Sequence, residues 1–274
     1  MKHFRRLSTP YLIWCLLFIL VPFVLIFLYA FTTTGNPVRT LHFTLSNFAK
    51  INDPAYIKVF VKSLGLGALT TAICLVLGYP LAYIISRQEE ARQNALIMAV
   101  TVPTWINMLL RTYAWMNLLS DNGIINGFLK FLGIDPVTMM YTSFSVIIGM
   151  ICNFMPFMVI SIHTSLEKMD YSLIEAAMDL GATPAQTFTK GILRLSMPGV
   201  LNGVVIVFLM AISSFMIPKL LGGGQYMLIG NLIEQQFISV GDWNFGSAVS
   251  LILAVIILLL MRLMKKMDVQ REDG

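Results

Sequence analysis

Six stretches free of formal charge dominate this chain: Leu7–Val38, Ser63–Ser86, Gln93–Leu110, Pro136–Leu166, Leu195–Pro218 and Trp243–Met261. Each reaches the roughly 18 to 20 residues that a helix needs to cross the hydrocarbon of a bilayer. Inside hydrocarbon no water is present to satisfy backbone N–H and C=O groups, so such segments fold as helices that bond internally. Only 12% of the 274 residues are charged, against about 25% in a soluble domain, and no connection is long enough to bury a separate soluble core. Water-soluble enzyme folds are excluded. The expectation is an all-α polytopic membrane protein with six transmembrane helices and a single domain, residues 1–274. Cys15, Cys74 and Cys152 fall inside apolar stretches without the spacing of a disulfide or zinc site. The basic start, Lys2 to Arg6, precedes about 20 apolar residues, longer than a signal-peptide core, so it reads as an uncleaved first span.

Helices placed on these windows run near Tyr11–Phe31, Ser63–Ser86, Ala95–Leu118, Phe144–His163, Pro198–Leu221 and Phe245–Arg262. Of the 19 Lys and Arg residues, twelve then lie on the side of the two termini and five on the other, while Arg111 and Lys219 fall within spans. The excess of basic residues marks the cytoplasmic side, so both termini are expected in the cytoplasm. Pro22, Pro80, Pro103, Pro156 and Pro218 interrupt spans, and each removes a backbone hydrogen bond that a neighbour must replace. Gly199 and Gly203 form a small-xxx-small pair, which lets another helix approach closely.

The connection between spans four and five, Glu167–Ser196, reads as two short helices beside the membrane. The first begins at Asp170 or Ser172, with Ser172 and Glu175 at the spacing of a capping box. Leu173, Ile174, Ala176, Ala177 and Leu180 supply its apolar residues, and Gly181 stands where a left-handed terminator is wanted. Thr183, Pro184 and Gln186 repeat the start signal for the second helix.

Glu175-Ala176-Ala177, three residues, then Gly181 resembles the EAA signature of permease subunits of ATP-binding-cassette importers, and it stands before the second-last span as in that family. The resemblance implies that 165–196 is a cytoplasmic coupling segment in which Glu175, Ala176, Ala177 and Gly181 shape a helix that docks on a separate ATPase. Taken alone, Glu175 reads as a helix-capping carboxylate. The family pattern continues with Ile-x-Leu-Pro, whereas this chain has Gly191-Ile192-Leu193-Arg194 and reaches Pro198 four residues late. No Gly-x-x-x-x-Gly-Lys loop is present, so ATP is expected to act through the partner and no cofactor to bind this chain.

Pro103-Thr104-Trp105, Arg111-Thr112-Tyr113-Ala114-Trp115, Ile217 to Gly223, Met227 to Asn231 and Asp242 to Gly246 look like the spermidine/putrescine branch of these permeases. That resemblance implies a family core of about 59–262 and an extra N-terminal span, 11–31, in a type I importer fold in the bacterial inner membrane. It also implies a second related permease, two ATPases and an extracytoplasmic polyamine-binding protein as partners, with no nucleic acid. Permeases for iron, sulfate or other small solutes share the fold.

A polyamine asks for carboxylates or aromatic faces. No Asp or Glu lies within the six spans, so the candidate path residues are Trp105, Tyr113 and Trp115 of span three with Glu234 and Asp242 outside the spans. Each aromatic alone is also readable as packing or as an interface-belt residue. Arg111 and Lys219 would repel such a cargo and are expected to bond to carbonyls or to the partner subunit. An ATP-independent transporter would show intramembrane carboxylates or an inverted repeat, and a membrane enzyme would gather its histidines; neither pattern is evident. Reporters fused after Gly274 and near Gly133 should place the first in the cytoplasm and the second outside; an external C-terminus would overturn the topology.

Overall fold

The computed structural model describes residues 10, 11, 14–33, 42–170 and 172–272, the last ten by backbone alone. The basic tail Lys2–Arg6, Arg39 and Gly274, which enter the topology argument above, lie outside the described residues. Among the described residues the regular structure is helical, apart from one isolated bridge between Thr32 and Phe43. The helices are α1 (Leu16–Ala30), α2 (Pro54–Ser86), α3 (Glu90–Trp105), α4 (Met108–Leu119), α5 (Ile124–Phe131) and α6 (Ser143–Glu167). They continue with α7 (Ser172–Asp179), α8 (Pro184–Leu195), α9 (Met197–Ser213), α10 (Met216–Leu221), α11 (Ile229–Glu234) and α12 (Trp243–Glu272). Helices α2, α6 and the Trp243–Arg262 part of α12 are each long and apolar enough to cross a membrane.

Two expected spans are not single straight helices. The third, expected over Ala95–Leu118, breaks at Ile106 and Asn107, and α3 meets the segment Met108–Phe131 at 90°. Pro103 occupies the last turn of α3, Ile106 and Asn107 are extended, and the Asn107 side chain accepts the Leu109 N–H at 2.8 Å to start α4. A side-chain oxygen thus replaces the backbone acceptor that the break removes. The fifth, expected over Pro198–Leu221, is α9 and α10 separated at Ser214, whose backbone is extended. At its other end α8 turns by 59° into α9. Pro198 sits in the first turn of α9, where its missing N–H costs nothing, which accounts for its late position.

The chain divides into two compact units, one of Val61–Leu228 with the residues after Leu259, the other of the residues up to Phe60 with Ile229–Leu259. In the first, α6 is the core helix: Val146, Met150, Met158, Val159, Ile162 and Leu166 are completely buried. The glycine pair of α9 packs against it. A Cβ on Gly199 would run into the Cβ of Ser165 and come within 2.7 Å of the Ser161 carbonyl, and one on Gly203 would stand 2.7 Å from the Met158 sulfur. Asn202 Nδ2 donates to Ser161 Oγ at 2.9 Å across the same contact. From α2, Gly78 approaches Met158 in the same manner.

In the second unit the C-terminal carbonyls of α1 lack intrahelical donors, and two asparagines serve them. Asn47 Nδ2 donates to the carbonyls of Ala30 and Thr32, and Asn244 Nδ2 to those of Tyr29 and Thr32, all at 2.8–3.0 Å.

Gly199→Val should lower stability by about 1–3 kcal/mol, because the obstructing Ser161 carbonyl is backbone and cannot rotate away. Gly65→Ala, on α2 with open space around it, should stabilise by up to about 1 kcal/mol. Thermal unfolding of the purified variants reads both.

Candidate coupling segment and outer carboxylates

Helix α7 and the start of α8 are the two helices expected between the fourth and fifth spans, with one change at the first cap. The Asp170 carboxylate, not a Ser172–Glu175 box, accepts the Ser172 N–H at 2.9 Å. The Ser172 hydroxyl also bonds this carboxylate, and these two hydrogen bonds hold Asp170 below its ordinary range. The hydroxyl is therefore engaged away from the helix, Ser172 becomes the first helical residue, and Glu175 projects into solvent.

Gly181 ends α7 with φ +88°. Its N–H donates to the Met178 carbonyl at 2.9 Å and the Ala182 N–H to the Ala177 carbonyl at 3.1 Å, the paired bonds of a Schellman turn. The second start signal forms fully: Gln186 N–H donates to Thr183 Oγ1 and Thr183 N–H to Gln186 Oε1.

Residues of α7 divide between two faces. Ile174 is buried, and a Cβ on Gly191 of α8 would stand 3.2 Å from its Cδ1. Gly191, where the chain departs from the family pattern, therefore lets the two helices close together. A cleft of about 480 Å³ runs between them, lined by Ala177, Thr187, Lys190 and Arg194 among others. Facing outward are Glu175, Ala176, Leu173, Met178 and Leu180, the last 90% exposed. Ala177 is half-buried. Three large apolar side chains, Leu173 and Met178 on α7 and Leu180 just past its end, thus lie uncovered.

Phe188 anchors α8 to α2. Its ring meets Tyr79 and Tyr83 edge-on, with centroids 6.0 and 5.5 Å away, a favourable arrangement of ring quadrupoles. The Tyr79 hydroxyl shares a 2.9 Å hydrogen bond with Ser196 Oγ at the α8–α9 bend. These contacts join α8 to α2 and the α8–α9 bend to α2. The motif reading missed Phe188; its only sequence signal was an aromatic residue inside an otherwise amphipathic segment.

The five expected path residues divide between the two compact units. Trp105 ends α3 at the break and is 75% exposed; Tyr113 on α4 is also exposed. Trp115, two residues further, faces the opposite side and packs on the core. Glu234 and Asp242 belong to the other compact unit, where Glu234 is half-buried at the end of α11. Asp242 opens α12: its carboxylate accepts the Phe245 N–H at 3.0 Å and pairs with Lys50 at 2.9 Å. Partial burial raises the Asp242 pKa, but the Phe245 amide and Lys50, with a smaller contribution from the Asn244 amide, outweigh it and leave the pKa below the ordinary value. Lys50 was the partner that sequence reasoning missed, since 192 residues separate the two. Arg111 Nε and Nη1 are buried with no hydrogen-bond partner among the described residues, so those atoms do not bond the carbonyls expected for them.

These features define a helical membrane protein that carries a short, exposed helix, α7, between α6 and α8. The chain belongs to the family described as binding-protein-dependent transport system inner membrane components, whose model matches residues 75–269; it is a transport component and not an enzyme. Its relatives include the spermidine/putrescine transport system permease protein PotB of Escherichia coli K12, 39% identical over 246 residues, with 89% of this chain and 90% of the relative covered. The PotB of Haemophilus influenzae is 37% identical over 263 residues, covering 94% and 92%. Among solved structures, a bacterial ABC transporter involved in import of the acidic polysaccharide alginate shares the fold at a TM-score of 0.82, with 19% identity and 98% and 96% of the two chains covered.

Asp242 contributes stability above the ordinary carboxylate range that is lost as pH falls through its lowered folded value. Asp242→Asn should therefore melt below wild type at neutral pH, and the gap should close on acidification through that window.

Proposed function

We propose that this chain is the permease subunit of an ATP-driven polyamine importer, forming half of a translocation path with a second, related permease. The observation that carries the reading is the 39% identity to a spermidine/putrescine permease over nearly the full length of both chains. Two ATPase subunits bind on the cytoplasmic side, where α7 supplies its exposed apolar residues to a groove on one of them. Glu175, Ala176 and Ala177 form the contact helix, and Gly181 sets the turn that presents it. ATP is bound and hydrolysed by those partners, and an extracytoplasmic binding protein delivers the polyamine. Both termini lie in the cytoplasm of a bacterial inner membrane. Residues 1–274 serve as one permease domain, with a core of about 59–262, an added first span at 11–31 and the coupling segment at 165–196.

Cargo recognition in this subunit is weak and rests on aromatic faces. Trp105 and Tyr113 are exposed and free to face the path, whereas Trp115 acts through packing. Glu234 and Asp242 attract cations at the entrance, where water and salt hold each pair to about 1 kcal/mol or less.

The test is polyamine uptake and ATPase activity of the complex in proteoliposomes with saturating binding protein. Gly181→Val strains a left-handed turn that has open space around it, so the subunit should assemble while uptake falls and hydrolysis continues. Leu180→Asp, at a fully exposed position, should weaken ATPase co-purification without unfolding the chain. Normal uptake in both variants would remove the coupling role. Trp105→Ala and Tyr113→Ala should reduce uptake more than Glu234→Gln or Asp242→Asn; the reverse order would place recognition on the carboxylates.

A further inference from the structure

Lys62, on α2, holds its ammonium 3.7 Å from the centre of the Tyr226 ring. At this distance the negative face of the ring attracts the cation directly, and among the described residues no carboxylate lies within ion-pair distance of Lys62. The ring is held from two further directions. Ser143 Oγ donates to the Tyr226 hydroxyl at 2.8 Å, and Gly222 runs so close that a Cβ there would stand 2.7 Å from the Cβ of Tyr226.

The next residue, Gly223, repeats this approach against the ring of Tyr141; its φ is +59°. Tyr141 has φ +62° and is the one non-glycine residue with positive φ among the described residues. A bulky residue is costly in that conformation and persists only where its surroundings enforce it. Here the Tyr141 N–H donates to the Leu221 carbonyl at 3.0 Å, which Ser145 Oγ also reaches. Tyr141 as a residue nevertheless remains 52% exposed. Two tyrosines are therefore presented on adjacent glycines, beside a serine hydroxyl and next to the start of α6.

We propose that Tyr226, with Tyr141 and Ser143 beside it, is a reception site for a primary ammonium group of the cargo, and that Lys62 is its resident occupant until cargo displaces it. The side chain of Lys62 ends in an alkylammonium of the same chemistry as the end of a polyamine, so the structure already shows the ring holding such a group. Occupation by Lys62 lowers the apparent affinity for cargo by the fraction of time the ring is filled. A site of this kind accepts an ammonium without retaining it, as a transport path requires. The substrate class rests on the polyamine reading above, whereas the site itself requires only a primary alkylammonium.

Equilibrium binding of radiolabelled putrescine to the assembled permease–ATPase complex in nanodiscs, without binding protein, tests the site. Lys62→Met keeps the aliphatic stem and removes the competing cation, and should tighten binding about tenfold. In the Lys62→Met background, Tyr226→Phe keeps the ring and should retain the gain, while Tyr226→Leu should erase it. Unchanged binding in Lys62→Met, or an equal gain with Tyr226→Leu, would overturn the proposal. Polyamine uptake by the wild-type complex decides the transport reading separately: its absence would sink that reading, while the binding series still decides the ammonium site.

Discussion

The absence of water in the hydrocarbon core governs this structure more than any side-chain contact. Every backbone donor and acceptor at that depth must find a partner within the protein. Long α2 and α6 meet the demand by continuous helix. Where the chain breaks, a polar side chain takes over: Asn107 starts α4, Thr142 and Ser145 cap α6 reciprocally, and Asn47 with Asn244 close the end of α1. The bends near Pro103 and Pro198 are tolerated because these substitutes exist or because the missing N–H falls in a first turn.

The second constraint is close approach. With lipid as apolar as the helices, association depends on shape and small residues. Gly199, Gly203 and Gly78 bring α9 and α2 against α6, while Gly191 brings α8 against Ile174. Beyond the glycines, Ile174 seats α7 on α8, the Phe188 ring seats α8 on α2, and Ser196 bonds Tyr79. Two cations find partners distant in sequence, Lys50 on the Asp242 carboxylate and Lys62 on the Tyr226 ring.

What the sequence determined by itself follows from composition and from local signals. Charge-free length specified the helical membrane class, and Thr183-Pro184-Gln186 and Gly181 marked the start of α8 and the end of α7 because capping and left-handed turns depend on residues within a few positions. Only the tertiary structure decided that the third and fifth spans break, that Asp170 rather than a Ser172–Glu175 box caps α7, and that Tyr113 and Trp115 point apart. It alone showed Asp242 paired with Lys50 and Tyr226 covered by Lys62. The physical reason is range: hydropathy and capping act along the chain, whereas a broken span, an ion pair or a cation on a ring depends on which distant residue packing brings alongside, and no window of sequence contains both partners.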